Sequence, residues 1–298
     1  MDSTASSASP RVAIGIATRG RASVLATTIP FLQRQDRPAD RILVCYTTPA
    51  DIAGLDHLAD VEWLLEQPGL PRQRNAIIKS AGDCDIVVFF DDDFLATPGY
   101  IGSVVDAMAG HHDIVATTGD LIADGIIGPG LPIDAGMAMI SSDQGNPKVP
   151  EMVNIRNAYG CNMALRLATI REHNMAFDEN LPLYGWLEDL DFTRQIHRFG
   201  RIVRLRSARG VHLGVKSGRT SGVKLGYSQV ANPLYIAAKG RYALHDAIVG
   251  LSRNIAANVA RLPWPESYID RRGRLSGNLL ALFDLIRGKM DPRRILEL

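Results

Sequence analysis

Three aspartates, Asp91, Asp92 and Asp93, follow directly on an apolar run in "DIVVFFDDDF", residues 85–94. Adjacent carboxylates repel one another, so a buried strand that ends in three of them needs water or a cation to compensate the charge. In extended backbone alternate side chains share a side, which groups Asp91 with Asp93 and turns Asp92 away. Two carboxylates on one side, with open positions beyond them, suit Mg2+ or Mn2+ whose shell is completed by diphosphate oxygens. A second acidic group, Glu188, Asp189 and Asp191 in "YGWLEDLDF" (184–192), opens a helical pattern. Acids in a first turn stabilise the helix dipole by roughly 0.3–1 kcal/mol each, and a carboxylate placed there can also act as a general base. His212, in "GVHLG", stands just past a strand pattern. Such a histidine is structural by default and becomes a nitrogen ligand when a carboxylate-bound cation lies beside it.

The elements that must position these residues alternate through the first half. "RVAIGIAT" (11–18), "RILVCYT" (41–47), "VEWLLEQ" (61–67) and "DIVVFF" (85–90) read as strands. Between them lie a helix with Val24, Leu25, Ile29 and Leu32 on one face, a short helix in "DIAGLDHLAD" (51–60), and "PRQRNAIIKSAG" (71–82). This alternation predicts an α/β fold with a parallel sheet covered on both faces. Ligands gather outside the carboxyl ends of such strands, where Thr18, Arg19 and the aspartates stand. Residues 118–150, rich in Gly, Pro and Asp, read as an irregular segment over the sheet edge. Helices are expected at 164–174 and 187–200, a strand at 201–214, and a mostly helical region after Tyr227.

Bulk properties narrow the function. The chain has 298 residues, 46% apolar and 22% charged, with net charge +1, which argues against a nucleic-acid partner. Cys45, Cys84 and Cys161 are far apart, form no metal-type cluster, and fit a reducing, cytoplasmic setting. "MDSTASSASP" lacks the basic and apolar regions of a signal peptide and reads as a disordered leader over 1–9. Between Arg201 and Lys224 seven Lys/Arg face no Asp/Glu, which is either a solvated face or a patch for an anionic ligand.

In order and spacing the motifs resemble the GT-A fold glycosyltransferases, in particular the large inverting family two. The likeness runs from about residue 11 to 215 through "ATRGR", "GLPRQRNAIIKSAGDCDIVVFFDDD", "YGCNMALR", "FDENLPLYGWLEDLDFTRQIHRFG" and His212. It implies a central, mainly parallel sheet flanked by helices over residues 10–225, with a helical extension over 226–298. It implies a nucleotide diphosphate-sugar donor and a divalent cation, Mn2+ or Mg2+, held by Asp93, His212 and Asp91. Thr18, Arg19, Arg74, Asp91 and Asp92 would meet the nucleotide, Asp189 would be the base supported by Glu188, and Gly160, Cys161, Asn162 and Trp186 would border the acceptor. One place departs from the pattern: "CYTT" (45–48) stands where the family often has acids that read the base. A single base and in-line displacement imply inversion, in bacterial polysaccharide or glycolipid assembly. A nucleotidyltransferase and a non-catalytic sugar-nucleotide binder are the rival readings.

The C-terminal helices carry Leu279, Leu282, Phe283, Ile286 and Met290 beside Arg287, Lys289, Arg293 and Arg294. Two readings stay open. The helices pack on the domain or on a second copy, or they lie on the inner face of the cell membrane near a lipid-linked rather than a free glycan acceptor.

Overall fold

The computed structural model describes residues 9–55, 57–145, 151–218 and 220–298. Four apolar runs build the parallel half of one sheet. β1 (Val12–Ala17) lies between β2 (Arg41–Tyr46) and β4 (Ile86–Asp91), and β3 (Glu62–Leu65) pairs with β2. Ala17 is in register with both Cys45 and Asp91, so three strand ends share one edge. α1 (Ala22–Leu32) buries the four apolar positions its spacing marks, and α2 (Leu70–Ser80) buries Ile77 and Arg74. Neighbouring phenylalanines confirm that both faces are covered: Phe90 packs with Leu25 and Ile29, Phe89 with Ile77 and Phe177.

The chain continues through β5 (Phe94–Ala96), α3 (Tyr100–Gly110), β6 (Ile114–Asp124), α4 (Ile133–Ser142), β7 (Met152–Ile155) and β8 (Asn162–Arg166). It then forms α5 (Leu167–Glu172), α6 (Glu188–Ile196) and β9 (Arg201–His212), followed by α7 (Gly222–Ala238), α8 (Leu244–Ala260) and α9 (Arg271–Ile286). The strand order is β3-β2-β1-β4-β8-β6-β9-β5, with β7 also paired to β9. β8 is antiparallel to both β4 and β6, β6 is parallel to β9, and β5 and β7 are antiparallel to β9. All but β5, β7 and β8 therefore run in one direction, which makes the sheet mainly parallel.

Three local expectations give way. "DIAGLDHLAD" opens on the end of a single 3-10 turn, Pro49–Ile52, because Asp51 accepts the Thr47 and Thr48 amides and folds the segment back on itself. Ala164–Arg166 extend β8 rather than start a helix, since β4 and β6 offer ladders on both sides. Residues 118–145 are also more regular than their composition suggests: β6 runs on to Asp124 against β9, and α4 follows. Residues 146–150, and the expected leader as far as residue 8, lie outside the described residues.

α7 spans the expected boundary at 225/226 and ties the helical region to the sheet domain. Asn232 Nδ2 donates to the Trp186 carbonyl at 2.9 Å, and Lys239 and Arg241 reach Asp191 at 2.8 and 2.9 Å. α9 crosses α7 backbone to backbone, so that a Cβ on Gly277 would overlap the Val223 carbonyl. Leu282 and Met290 pack inward around Tyr227 and Ile295, while Leu279, Phe283 and Ile286 stay exposed. Among the described residues no helix is long and apolar enough to cross a membrane.

Candidate active site

Asp91 ends β4, Asp93 sits in the turn into β5, and His212 ends β9. β5 pairs with β9 so that Phe94 faces His212, and this register brings Asp93 to the imidazole. His212 Nε2 lies 3.8 Å from Asp91 Oδ2 and 3.4 Å from Asp93 Oδ1, and the ligand atoms of the three residues fall within 4.8 Å of one another. His212 Nδ1 is 2.8 Å from Asp124 Oδ1, which directs the other ring nitrogen at the aspartates. Asp93 Oδ2 accepts the Val215 amide at 2.6 Å, but its buried Oδ1 has no hydrogen-bond partner. A buried carboxylate oxygen without a donor is costly, and a cation between two carboxylates and an imidazole would satisfy it. Burial disfavours a charged His212, yet the Asp124 carboxylate at Nδ1 and the negative charges of Asp93 and Asp91 beside Nε2 outweigh it and hold the imidazole up to about 10. The imidazolium thus places positive charge where the donor set would place a metal.

Asp92 turns the other way. Its carboxylate accepts from Thr18 Oγ1 and Arg21 Nη1, each at 2.7 Å, and burial pushes its pKa up. Asp92 therefore clamps the end of β1 to the aspartate turn and has its oxygens committed. Thr18, Arg19, Asp91 and Asp92 line one cavity together with Tyr184 and Thr220. Arg19 is exposed there. Asp51, the acid nearest to the departure at "CYTT", is buried and bonded to Gly20, Thr47 and Thr48.

A second cavity adjoins Asp91 and His212 and is lined by Gly160, Cys161, Trp186 and Asp189. Asp189 is half-buried and open to it, with Oδ2 accepting the Gly160 amide at 2.9 Å and Oδ1 its neighbour Leu190 at 2.8 Å. Glu188 is buried against Arg74, with its Oε2 unpartnered; burial pushes its carboxyl up to about 8 against the pull of the guanidinium. Arg74 also donates to the Gly160 carbonyl at 2.8 Å and lies 3.6 Å from Asp91, with Phe89 and Phe177 beneath it. Asn162 lines neither of these two cavities; it accepts from Thr118 Oγ1 at 2.6 Å and is buried at the start of β8. Three residues of the basic block are held in ion pairs, Arg206 with Asp120 and Arg209 with Asp143, both at 2.6 Å, and Arg201 with Asp113.

Sequence reasoning missed Asp124, Arg21 and Tyr184. Asp124 lies in the segment whose Gly, Pro and Asp content reads as irregular, and its place as an acid at a strand end is the one signal. Arg21 stands two residues from Arg19, and only the fold shows which of them meets Asp92.

No protein-family model and no curated protein sequence matches the chain. Among solved structures it is similar to TarS of S. aureus, at 14% identity and a TM-score of 0.51, covering 93% of this chain and 73% of that one. It is similar to GalNAc-T7 with UDP, GalNAc and Mn2+, at 13% identity and a TM-score of 0.53, over 97% of this chain but 56% of that one. It is also similar to the mannosyltransferase PcManGT from Pyrobaculum calidifontis with GDP-Man and Mn2+, at 16% identity, a TM-score of 0.54 and coverages of 98% and 86%. At these identities the likeness speaks for architecture, and the architecture shared by this chain and its neighbours is the GT-A fold.

Proposed function

We propose that the chain transfers a sugar from a nucleotide diphosphate-sugar to an acceptor hydroxyl with inversion, dependent on a divalent cation. The observation that carries this reading is the convergence of Asp91, Asp93 and His212, with its unpartnered buried oxygen, beside the open carboxylate of Asp189. The nucleotide would occupy the cavity of Thr18 and Arg19, and the sugar would lie toward Asp189. The nitrogen ligand favours Mn2+ over Mg2+, and the Mn2+ complexes of two neighbours support that choice. A cation held there supplies Lewis-acid stabilisation of the charge on the departing diphosphate.

The residues of the chain do the rest. Asp189 takes the proton of the acceptor hydroxyl as its oxygen bonds to the anomeric carbon. The bond from that carbon to the diphosphate breaks in line, and its electron pair leaves with the phosphate. Three carboxylates line this space, but Asp91 belongs to the cation set and the buried Glu188 is paired with Arg74, which leaves Asp189, so a single displacement with inversion suits the site better than a glycosyl-enzyme intermediate. Arg74 keeps Gly160 and Asp91 in place and so fixes both walls.

A donor screen with a panel of sugar nucleotides and Mn2+, reading released nucleoside diphosphate, tests this. At least one donor should turn over. Asp93→Ala should abolish turnover, and Asp189→Asn should lower it by about 10²–10⁴-fold while keeping Mn2+-dependent nucleotide binding. Turnover undiminished in excess EDTA, in a preparation free of metal, would sink the metal assignment. A fully active Asp189→Asn would sink the base.

A further inference from the structure

A third cavity, of about 610 Å3, opens between the sheet domain and the C-terminal helices. Tyr184 and Trp186 line it from the sheet domain, Leu225 and Gln229 from α7, Asn254 from α8, and Tyr268 from the segment between α8 and α9. Tyr184 and Trp186 also line the cavity of Asp189 and His212, so the two spaces share a wall. Tyr184 in addition borders the cavity of Thr18 and Arg19. The nucleotide cavity, the reacting carboxylate and this larger space thus meet around one side chain.

We infer that this third cavity seats the acceptor and that the acceptor is a glycan, an inference that rests on the sugar-transfer reading. Its volume lies within the roughly 300–1,000 Å3 usual for small-molecule sites. The lining has the two-sided chemistry of a sugar ring, which presents apolar C–H faces and a hydroxylated edge. Three aromatic rings supply faces, those of Tyr184 and Trp186 standing 6.3 Å apart at 35°. The amides of Gln229 and Asn254 share the lining with the charged Lys216, Asp270, Arg271 and Arg274. An acyl chain would offer these groups no hydrogen bond in exchange for the water it displaces, which is costly.

The wall is also built in advance. Asn232 holds the Trp186 carbonyl, and behind Gln229 the buried Asn258 donates to Asn278 at 2.8 Å, which donates to the Gly226 carbonyl at 2.7 Å. A pre-ordered wall lowers the entropy lost on binding. A glycan seated here presents a hydroxyl across the Tyr184–Trp186 wall to Asp189. On this reading the C-terminal helices choose the acceptor.

The purified full-length chain, with Mn2+ and UDP or GDP present, is screened on an array of defined oligosaccharides, and bound glycans are titrated by calorimetry. Leu225→Trp fills the cavity from α7 and Tyr268→Ala removes a ring; each should weaken the selected glycan at least tenfold. Circular dichroism identifies a variant that has lost its fold, and the other then decides. Glycan affinity unchanged in a folded variant, or no glycan bound by the native chain, would overturn the assignment. Mn2+-dependent nucleotide binding, measured on the native chain in the same series, separates the two ideas: its absence defeats the transfer reading, whereas its presence without cavity-dependent glycan binding defeats only the acceptor site.

Discussion

Asp124 touches none of the space proposed for the donor, yet it decides which nitrogen of His212 faces the aspartates. Holding Nδ1 leaves Nε2 as the ligand atom and fixes the ring against rotation. Removing such a partner typically costs about 10–100-fold in metal affinity. Asp124→Asn should therefore raise the Mn2+ dissociation constant by about that factor, in calorimetric titration of the native and variant chains, with no loss of secondary structure. An unchanged constant would show that the ring is held by packing alone. At this scale the sequence was informative about which residues gather: Asp91, Asp93, Asp189 and His212 all stand at strand or helix ends, where one edge of the sheet collects them. Apart from the family resemblance, which named Asp189, it was silent on which carboxylate of the 188/189 pair is taken by Arg74 and which stays free of it. That depends on the phase with which α6 begins, set by Leu187 at a left-handed φ of 67°, a backbone state no local pattern announces.

Secondary structure was legible where an element carries its own period. α1 declares itself by the spacing of Val24, Leu25, Ile29 and Leu32, and β4 by an unbroken apolar run. β6 beyond Gly119 was not, because its stability comes from a ladder with β9 that is distant in sequence. The helical region shows the same dependence on partners through its glycines. Gly277 lies where α9 meets the backbone of α7, and a methyl group there would collide with the Val223 carbonyl and the Tyr227 amide. Neither atom can swing aside as a side chain would. Gly250, inside α8, has only the Tyr242 hydroxyl within 4 Å of the same construction, at 3.9 Å. Gly277→Ala should thus destabilise the protein by about 1–3 kcal/mol through overpacking. Gly250→Ala should stabilise it by about 0.5–1 kcal/mol through helix propensity alone. Urea denaturation of the two variants checks the pair, and equal signs would mean that helix propensity, not the crossing, governs both positions.

Across the whole molecule the helical region and the site are joined by charge as well as by packing. Lys239, at the end of α7, sits between Asp178 at 2.5 Å and Asp191 of α6 at 2.8 Å, and Tyr235 donates to Asp178 at 2.9 Å. α6 is also the helix that carries Asp189. Burial alone would raise the Asp178 pKa, but Lys239, the Asn180 amide and the Tyr235 hydroxyl outweigh it and bring the carboxyl from 3.8 down to about 2. The folded state therefore binds this proton less readily than the unfolded chain. The stabilisation is complete above the unfolded value of 3.8 and disappears as the pH falls through about 2. A shift of that size corresponds to about 2.4 kcal/mol, and solvent screening at a site open on one side reduces it to about 1–2 kcal/mol. Asp178→Asn should accordingly be less stable than the native chain at pH 6, by about 1–2 kcal/mol in urea. The gap should close as both proteins are taken from about pH 4 toward pH 2. A gap that stays constant with pH would mean that the residue acts by shape and not by charge, and the cluster would then be a packing contact rather than an electrostatic link between α7 and the helix of the proposed base.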